Sequence, residues 1–113
     1  MFVIYPPHAI KKQNNDKYKM LLDSIKNGWV PEIRACWNGD HFQAIEGSHR
    51  LAACAELEVP PVIIELDEAD VLPDTDDQFD SAYMDIDSNT PTVEDILIYY
   101  AQNHDKPSYV FYD

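Results

Sequence analysis

The sequence predicts an α+β domain, in which a small mixed sheet is packed by helices in the order β-α-β-β-α-β and a C-terminal helix follows. A length of 113 residues suffices for one domain with one hydrophobic core. The apolar residues make up 45% of the chain, which is enough to build that core. Short β-prone runs alternate with stretches of helical periodicity, and this alternation indicates that the sheet is mixed with helices.

The first two predicted elements are a strand and a helix. Residues 2–5 are β-prone and are stopped by two prolines, which predicts an opening or edge strand. Residues 17–27 are predicted as a helix, and Gly28 stands where a C-terminal cap belongs. The apolar residues of this helix recur at i, i+3, i+4 and i+7: Tyr18, Leu21, Leu22 and Ile25.

A β-hairpin, a second helix and a strand are predicted next. The apolar residues Ile33, Ala35 and Trp37 alternate with the polar Glu32 and Arg34, and an Asn-Gly turn separates them from a β-prone run at 42–45. Residues 48–58 are rich in alanine and predict a helix, which two prolines end. The apolar run at 62–66 predicts a buried strand.

The composition changes after the predicted core, residues 1–72. Residues 73–89 are rich in aspartate and predict a solvated acidic loop. Residues 90–113 predict a C-terminal helix over about 93–103 and an aromatic tail or final strand, so that 1–113 is one domain. The apolar face of this helix is expected to dock on the sheet or on the first helix, through Val93, Ile96, Leu97 and Tyr100.

The net charge of −13 is concentrated in the C-terminal part of the chain. Residues 1–64 carry 7 basic and 7 acidic side chains, whereas residues 65–113 carry 14 acidic side chains and only Lys106. This charge disfavours binding to duplex DNA or to an anionic membrane, and it suits a basic protein partner. With no apolar run long enough to span a bilayer and no signal peptide, a cytoplasmic protein is expected. Cys36 and Cys54 lack metal-site spacing and are expected to be buried, reduced thiols.

The residues with binding-site chemistry lie where the predicted hairpin meets the second helix. Gly47 permits close approach of the backbone, and the helix start directs amide N–H groups outward, which favours a phosphate. Ser48 and Arg50 are candidate anion ligands, and His49 can donate a hydrogen bond or move a proton. No Gly-Lys-Ser/Thr follows, so this is not a Walker loop. The alternative is a capped helix in which Arg50 pairs with a nearby acid.

The order of these features resembles that of the ParB-like and sulfiredoxin-like nucleotide-binding domains over residues 1–72. The shared motif is a glycine, two variable residues and an arginine that open a helix, with an alanine three positions later. In this chain those residues are Gly47, Arg50 and Ala53. The resemblance also includes Gly28-Trp29-Val30-Pro31 and Val59-Pro60-Pro61-Val62.

The resemblance implies a nucleotide triphosphate or diphosphate, with Mg²⁺, whose phosphates lie on the helix start. The binding residues there are Gly47, Ser48, His49 and Arg50. In sulfiredoxin-like members a lysine early in the first helix and a hydroxyl seven residues later also contact the nucleotide. Lys17 and Ser24 match these positions, and residues at i and i+7 share one helix face.

The acid before the glycine, Glu46, resembles that of the ParB-like free-serine kinases and of proteins labelled ParB-like nucleases. The resemblance implies a role for Glu46 in magnesium binding or phosphoryl transfer, so Glu46 and His49 are the candidate catalytic residues. The alternative for Glu46 is an ion pair with Arg50. Ser48 replaces the cysteine that sulfiredoxin chemistry needs, so reduction of peroxiredoxin is not expected.

Two classes of function remain open. One is a small nucleotide-dependent phosphotransferase or hydrolase, in which Arg50 and magnesium neutralise the transferring phosphoryl group. The other is a non-catalytic interaction module on the same fold, which uses its acidic C-terminal half to bind a basic protein or to mimic nucleic acid.

Overall fold

The structure, a computed structural model, describes residues 1–10, 16–71, 92–101 and 107–112. These residues form five strands and three helices. The strands are β1 (Phe2–Tyr5), β2 (Glu32–Trp37), β3 (Phe42–Ala44), β4 (Val62–Glu65) and β5 (Tyr109–Phe111), and the helices are α1 (Asp16–Lys26), α2 (Ser48–Leu57) and α3 (Val93–Ala101). The predicted order of elements is therefore confirmed. The acidic loop predicted at 73–89 and the predicted helical residues after 101 lie outside the described residues.

The five strands form one mixed sheet in the order β4-β2-β3-β1-β5. β2 and β3 are the predicted antiparallel hairpin, with Ala35 opposite Ala44. β4 runs parallel to β2, β1 runs parallel to β3, and β5 runs antiparallel to β1. Of the two interpretations of the aromatic tail, the final strand is confirmed.

Two strands lie elsewhere in the sheet than their sequences predict. β1 is not an edge strand, because β5 pairs with its outer side. β4 is not buried: Val62 is 49% and Ile64 38% exposed. The apolar run predicts burial on both faces, but β4 is at the edge of the sheet and only Ile63 packs against a core cluster. The prediction of a buried strand was therefore wrong.

The two faces of the sheet are covered by different helices. On β2, Ala35 joins the core cluster that contains residues of α1 and α2, whereas Cys36 joins a second cluster with Ile96 and Tyr100 of α3. Successive side chains of a strand point to opposite faces, so α3 lies on the face away from α1 and α2. The prediction that α3 docks is confirmed, and it docks on the sheet.

A buried hydrogen bond holds α3 in this position. The Tyr100 hydroxyl donates to the carbonyl oxygen of Ile45 at 3.0 Å. Ile45 directly follows β3 and precedes the Glu46 to Arg50 motif, so α3 is tied to the segment that leads into α2. Within the described ranges, no helix has both the length and the apolar character needed to cross a membrane.

Candidate functional site

The start of α2 is built around a glycine that no other residue replaces without strain. Gly47 precedes the helix with φ +87° and ψ +33°, the left-handed conformation that side chains disfavour. A Cβ atom at this position would lie 2.8 Å from Cδ1 of Ile33 in β2. The backbone conformation therefore favours glycine at position 47, and a Cβ atom there would also force the buried Ile33 side chain to shift.

The first residue of α2 carries a buried polar group with no bonding partner. Ser48 is 5% exposed, and its Oγ atom forms no hydrogen bond with the described part of the chain. Nor does a side chain cap the helix. The first intrahelical bond runs from Leu51 N to Gly47 O at 2.8 Å, so the preceding amides have no acceptor within the helix. A buried hydroxyl that lacks a partner is costly, and a bound anion would satisfy both groups.

The guanidinium of Arg50 is fixed beside Gly47 by two contacts. Its Nη1 donates to the backbone carbonyl of Glu32 at 2.8 Å, and its Nη2 lies 3.2 Å from Oε1 of Glu46. The Arg50 side chain is 27% exposed and that of Glu46 is 10% exposed. The ion pair that the sequence left as the alternative for both residues is thus formed. One of the five guanidinium N–H groups is used in the hydrogen bond to Glu32 and Nη2 faces Glu46, so N–H groups that have no acceptor among the described residues remain for a further ligand.

The Glu32 contact is a part of the site that sequence reasoning missed. The bond joins residues 18 positions apart and uses a backbone carbonyl, so no side-chain pattern indicates it. The pairing of β2 with β3 and β4 brings this carbonyl to the start of α2.

The structure does not gather all predicted ligands at one point. Lys17 and Ser24 are exposed on α1, and His49 is half-buried in the first turn of α2. Tyr18, next to Lys17, lies beside Glu56 near the C-terminal end of α2. Glu56 is eight residues from Ser48, about 12 Å along α2. Lys17 therefore lies near the C-terminal end of α2, whereas the phosphate motif is at its N-terminal end. Lys17 therefore reaches only a ligand that extends along the α1 and α2 pair.

Glu46 is the candidate ligand for a metal ion at this site. Among the described residues, no group of three or more His, Cys, Asp or Glu side chains is arranged to hold a metal. Magnesium is commonly held by one or two carboxylates together with substrate phosphates. Glu46 therefore fits an ion that binds together with a nucleotide, and it does not form a site alone.

Both cysteines are buried and free, as the sequence predicts. Burial raises the pKa of Cys54 to about 11, and the nearby Arg50 offsets only part of that effect. Burial, and then the carboxylates of residues 65–70, raise the pKa of Cys36. Neither thiol is ionised at neutral pH, so neither supplies a nucleophile to the motif.

The whole chain has also been compared with known proteins. Comparison with protein-family models, with curated proteins and with solved structures finds no match. The resemblance to ParB-like and sulfiredoxin-like domains therefore stays a prediction.

Proposed function

We propose that this protein binds the phosphate groups of a nucleotide at the N-terminus of α2. The observation that carries the proposal is the buried Ser48 hydroxyl, which has no partner in the described chain and stands at a helix start without a side-chain cap. Gly47 has no side chain that would cover the helix start, and the Arg50 guanidinium is held directly beside Gly47. Amide donors, a hydroxyl and a guanidinium are the groups that recognise phosphate.

Glu46 decides how strongly the site attracts an anion. Its carboxylate neutralises Arg50 and would repel a phosphate placed on the same helix start. A magnesium ion shared by Glu46 and the phosphates would remove this repulsion and would supply charge neutralisation for phosphoryl transfer. The proposed ligand is therefore a nucleotide together with Mg²⁺, rather than free phosphate.

A catalytic step is the second part of the proposal. His49 is half-buried in the first turn of α2, where it can donate to or accept a proton from a group on the phosphate. Glu46 is the carboxylate available to orient an attacking hydroxyl or water once it separates from Arg50. Binding does not require this separation, so binding and turnover are tested independently.

The binding test is a thermal-shift titration with ATP, ADP, CTP and GTP, each with and without Mg²⁺. A ligand present at 100 times its dissociation constant adds about 2.7 kcal/mol to the free energy of unfolding. We expect Ser48→Ala to weaken binding about fivefold through the loss of one hydrogen bond, with the exposed Ser108→Ala as matched control. Ser24→Ala tests the contact that the resemblance implies. The proposal is wrong if none of the four nucleotides shifts the midpoint.

The role of Glu46 is tested with Glu46→Gln, which keeps the shape but removes the charge. We expect tighter nucleotide binding without Mg²⁺, because the repulsion is gone, and little further gain when Mg²⁺ is added. Glu58→Gln, at an exposed position after α2, is the matched control and should retain the Mg²⁺ dependence. If the wild type releases inorganic phosphate from the nucleotide and neither Glu46→Gln nor Arg50→Ala does, the site catalyses a reaction as well as binding the nucleotide.

A further inference from the structure

The edge of the sheet at β4 offers backbone groups for pairing. β2 is the one neighbour of β4 among the described strands. Val62 N donates to Pro31 O and Leu66 N to Ala35 O, each at 2.9 Å. Alternate residues of a parallel strand bond to the same side, so the N–H and C=O groups of Ile63 and Glu65 point away from β2. Among the described residues nothing pairs with these groups, which form an edge two residues long.

This edge carries only part of the protection that edge strands usually have against pairing with another chain. Such strands are commonly protected by shortness, by charged side chains, especially lysine, or by proline. β4 is four residues long and ends with Glu65, but its sequence, Val-Ile-Ile-Glu, contains no lysine or proline, and both prolines precede it. Ile63 packs against the cluster under α1 and α2, so Val62 and Ile64 are on the opposite face, where they are exposed. An added strand would find an apolar side chain to pack against on that face.

The charge around the β4 edge determines which kind of peptide can bind there. Four exposed carboxylates follow within six residues of Ile64: Glu65, Asp67, Glu68 and Asp70. A second copy of this chain carries a net charge of −13 and would be repelled. Residues 72–91 contain six aspartates and no lysine or arginine, so the chain's own acidic segment has the same sign as the edge. A positively charged peptide is the complement of this surface.

We propose that the β4 edge binds an extended, lysine- or arginine-bearing segment of a partner protein, which pairs with Ile63 and Glu65 as an added strand. Apolar residues of the segment pack on Val62 and Ile64, and its basic residues face the four carboxylates. Val62 pairs with Glu32, whose carbonyl binds Arg50, so this surface lies near the start of α2. The proposed pairing uses the outer side of β4 and does not depend on nucleotide binding.

The test uses an acetylated and amidated peptide of alternating lysine and valine, Lys-Val-Lys-Val-Lys-Val, with the full chain. Glu65→Pro removes the outward N–H of an edge position and no bond to β2, whereas Glu65→Gln removes only the charge. We expect Glu65→Pro to weaken binding about tenfold. Glu65→Gln should weaken it about twofold to threefold. Amide hydrogen exchange of Ile63 and Glu65 should slow when the peptide binds to the wild type.

Three results would overturn the proposal. The first is equal affinity for the same peptide with proline at its central valine, since that change keeps the charge but prevents strand pairing. The second is equal affinity of Glu65→Pro and Glu65→Gln. The third is slow exchange of Ile63 and Glu65 in the free protein, which would mean that the chain itself covers the edge. The exchange measurement needs no variant, so it decides the question even where Glu65→Pro does not fold.

Discussion

The N-termini of α2 and α3 are completed in opposite ways. At α3 the chain supplies its own partners: the amide of Thr92 donates to the Asp95 carboxylate at 2.8 Å, and the amides of Val93 and Glu94 donate to carbonyls of residues 70 and 68. At α2 the cap is Gly47, which has no side chain, and Ser48 Oγ has no partner in the described chain. The first turn of α3 carries two acids, and that of α2 carries none. One helix start is satisfied internally, and the other has no side-chain cap among the described residues, as the proposed phosphate site requires.

Among the variants that test this difference between the two helix starts, Gly47→Ala should have the largest effect on the free energy of unfolding. Left-handed strain and the contact with Ile33 should together lower the free energy of unfolding by about 2–4 kcal/mol. Gly39→Ala is the matched control, because Gly39 has φ +96° but nothing within 4 Å of an added Cβ. It should lose only the strain, about 1 kcal/mol. Equal losses in urea unfolding would mean that the close packing at Gly47 contributes nothing.

The capped helix is tested by Thr92→Ala. The Thr92 hydroxyl lies 3.3 Å from the Asp95 carboxylate. Its removal loses this one hydrogen bond, while the residue 92 amide still donates to Asp95. The free energy of unfolding should fall by about 1 kcal/mol, and nucleotide affinity should stay unchanged. Thr92→Ser retains the hydroxyl and should behave as wild type. A change in nucleotide affinity in Thr92→Ala would contradict the separation of the two helix starts.

A substitution at the start of α2, the helix without a side-chain cap, should change the free energy of unfolding in the opposite direction. Ser48→Ala removes a buried hydroxyl that has no partner among the described residues, so the free energy of unfolding without ligand should rise by up to about 1 kcal/mol. The exposed Ser24→Ala measures the part that comes from helix propensity alone, about 0.5 kcal/mol. A loss of stability in Ser48→Ala would show that the hydroxyl has a structural partner and would remove the main support for an anion site.

Tyr18→Phe should have the smallest effect on the free energy of unfolding at neutral pH. Tyr18 is on α1 and lies beside Glu56, near the C-terminal end of α2. Burial, and then the charge of Glu56, raise the pKa of Tyr18 to about 12. Folding thus favours the neutral phenol: this stabilisation is complete below pH 10 and is lost as the pH rises from about 10 to 12. Tyr18→Phe should flatten that part of the curve of unfolding free energy against pH. An unchanged curve would contradict the burial of the ionisable hydroxyl.

The candidate site was predictable from the sequence to different degrees. Gly47, Ser48 and Arg50 lie within four consecutive positions, so their placement at one helix start follows from the helix prediction alone. The pairing of Arg50 with Glu46 was one of two open alternatives, because four residues of spacing permit the contact but do not require it. The exposure of Ser24 and the distance of Lys17 from the motif depend on how α1 packs against α2, which helical periodicity does not determine.

The sequence by itself determined the elements of the fold, because local periodicity, prolines and turn residues act over a few neighbouring positions. It placed both early helices, the hairpin and the apolar face of α3 close to their observed bounds. Only the tertiary structure decided that β5 covers β1, that β4 is at the exposed edge and that the Glu32 carbonyl orients Arg50. These features depend on which distant strands pair, and an apolar run has the same pattern at the centre of a sheet as at its edge.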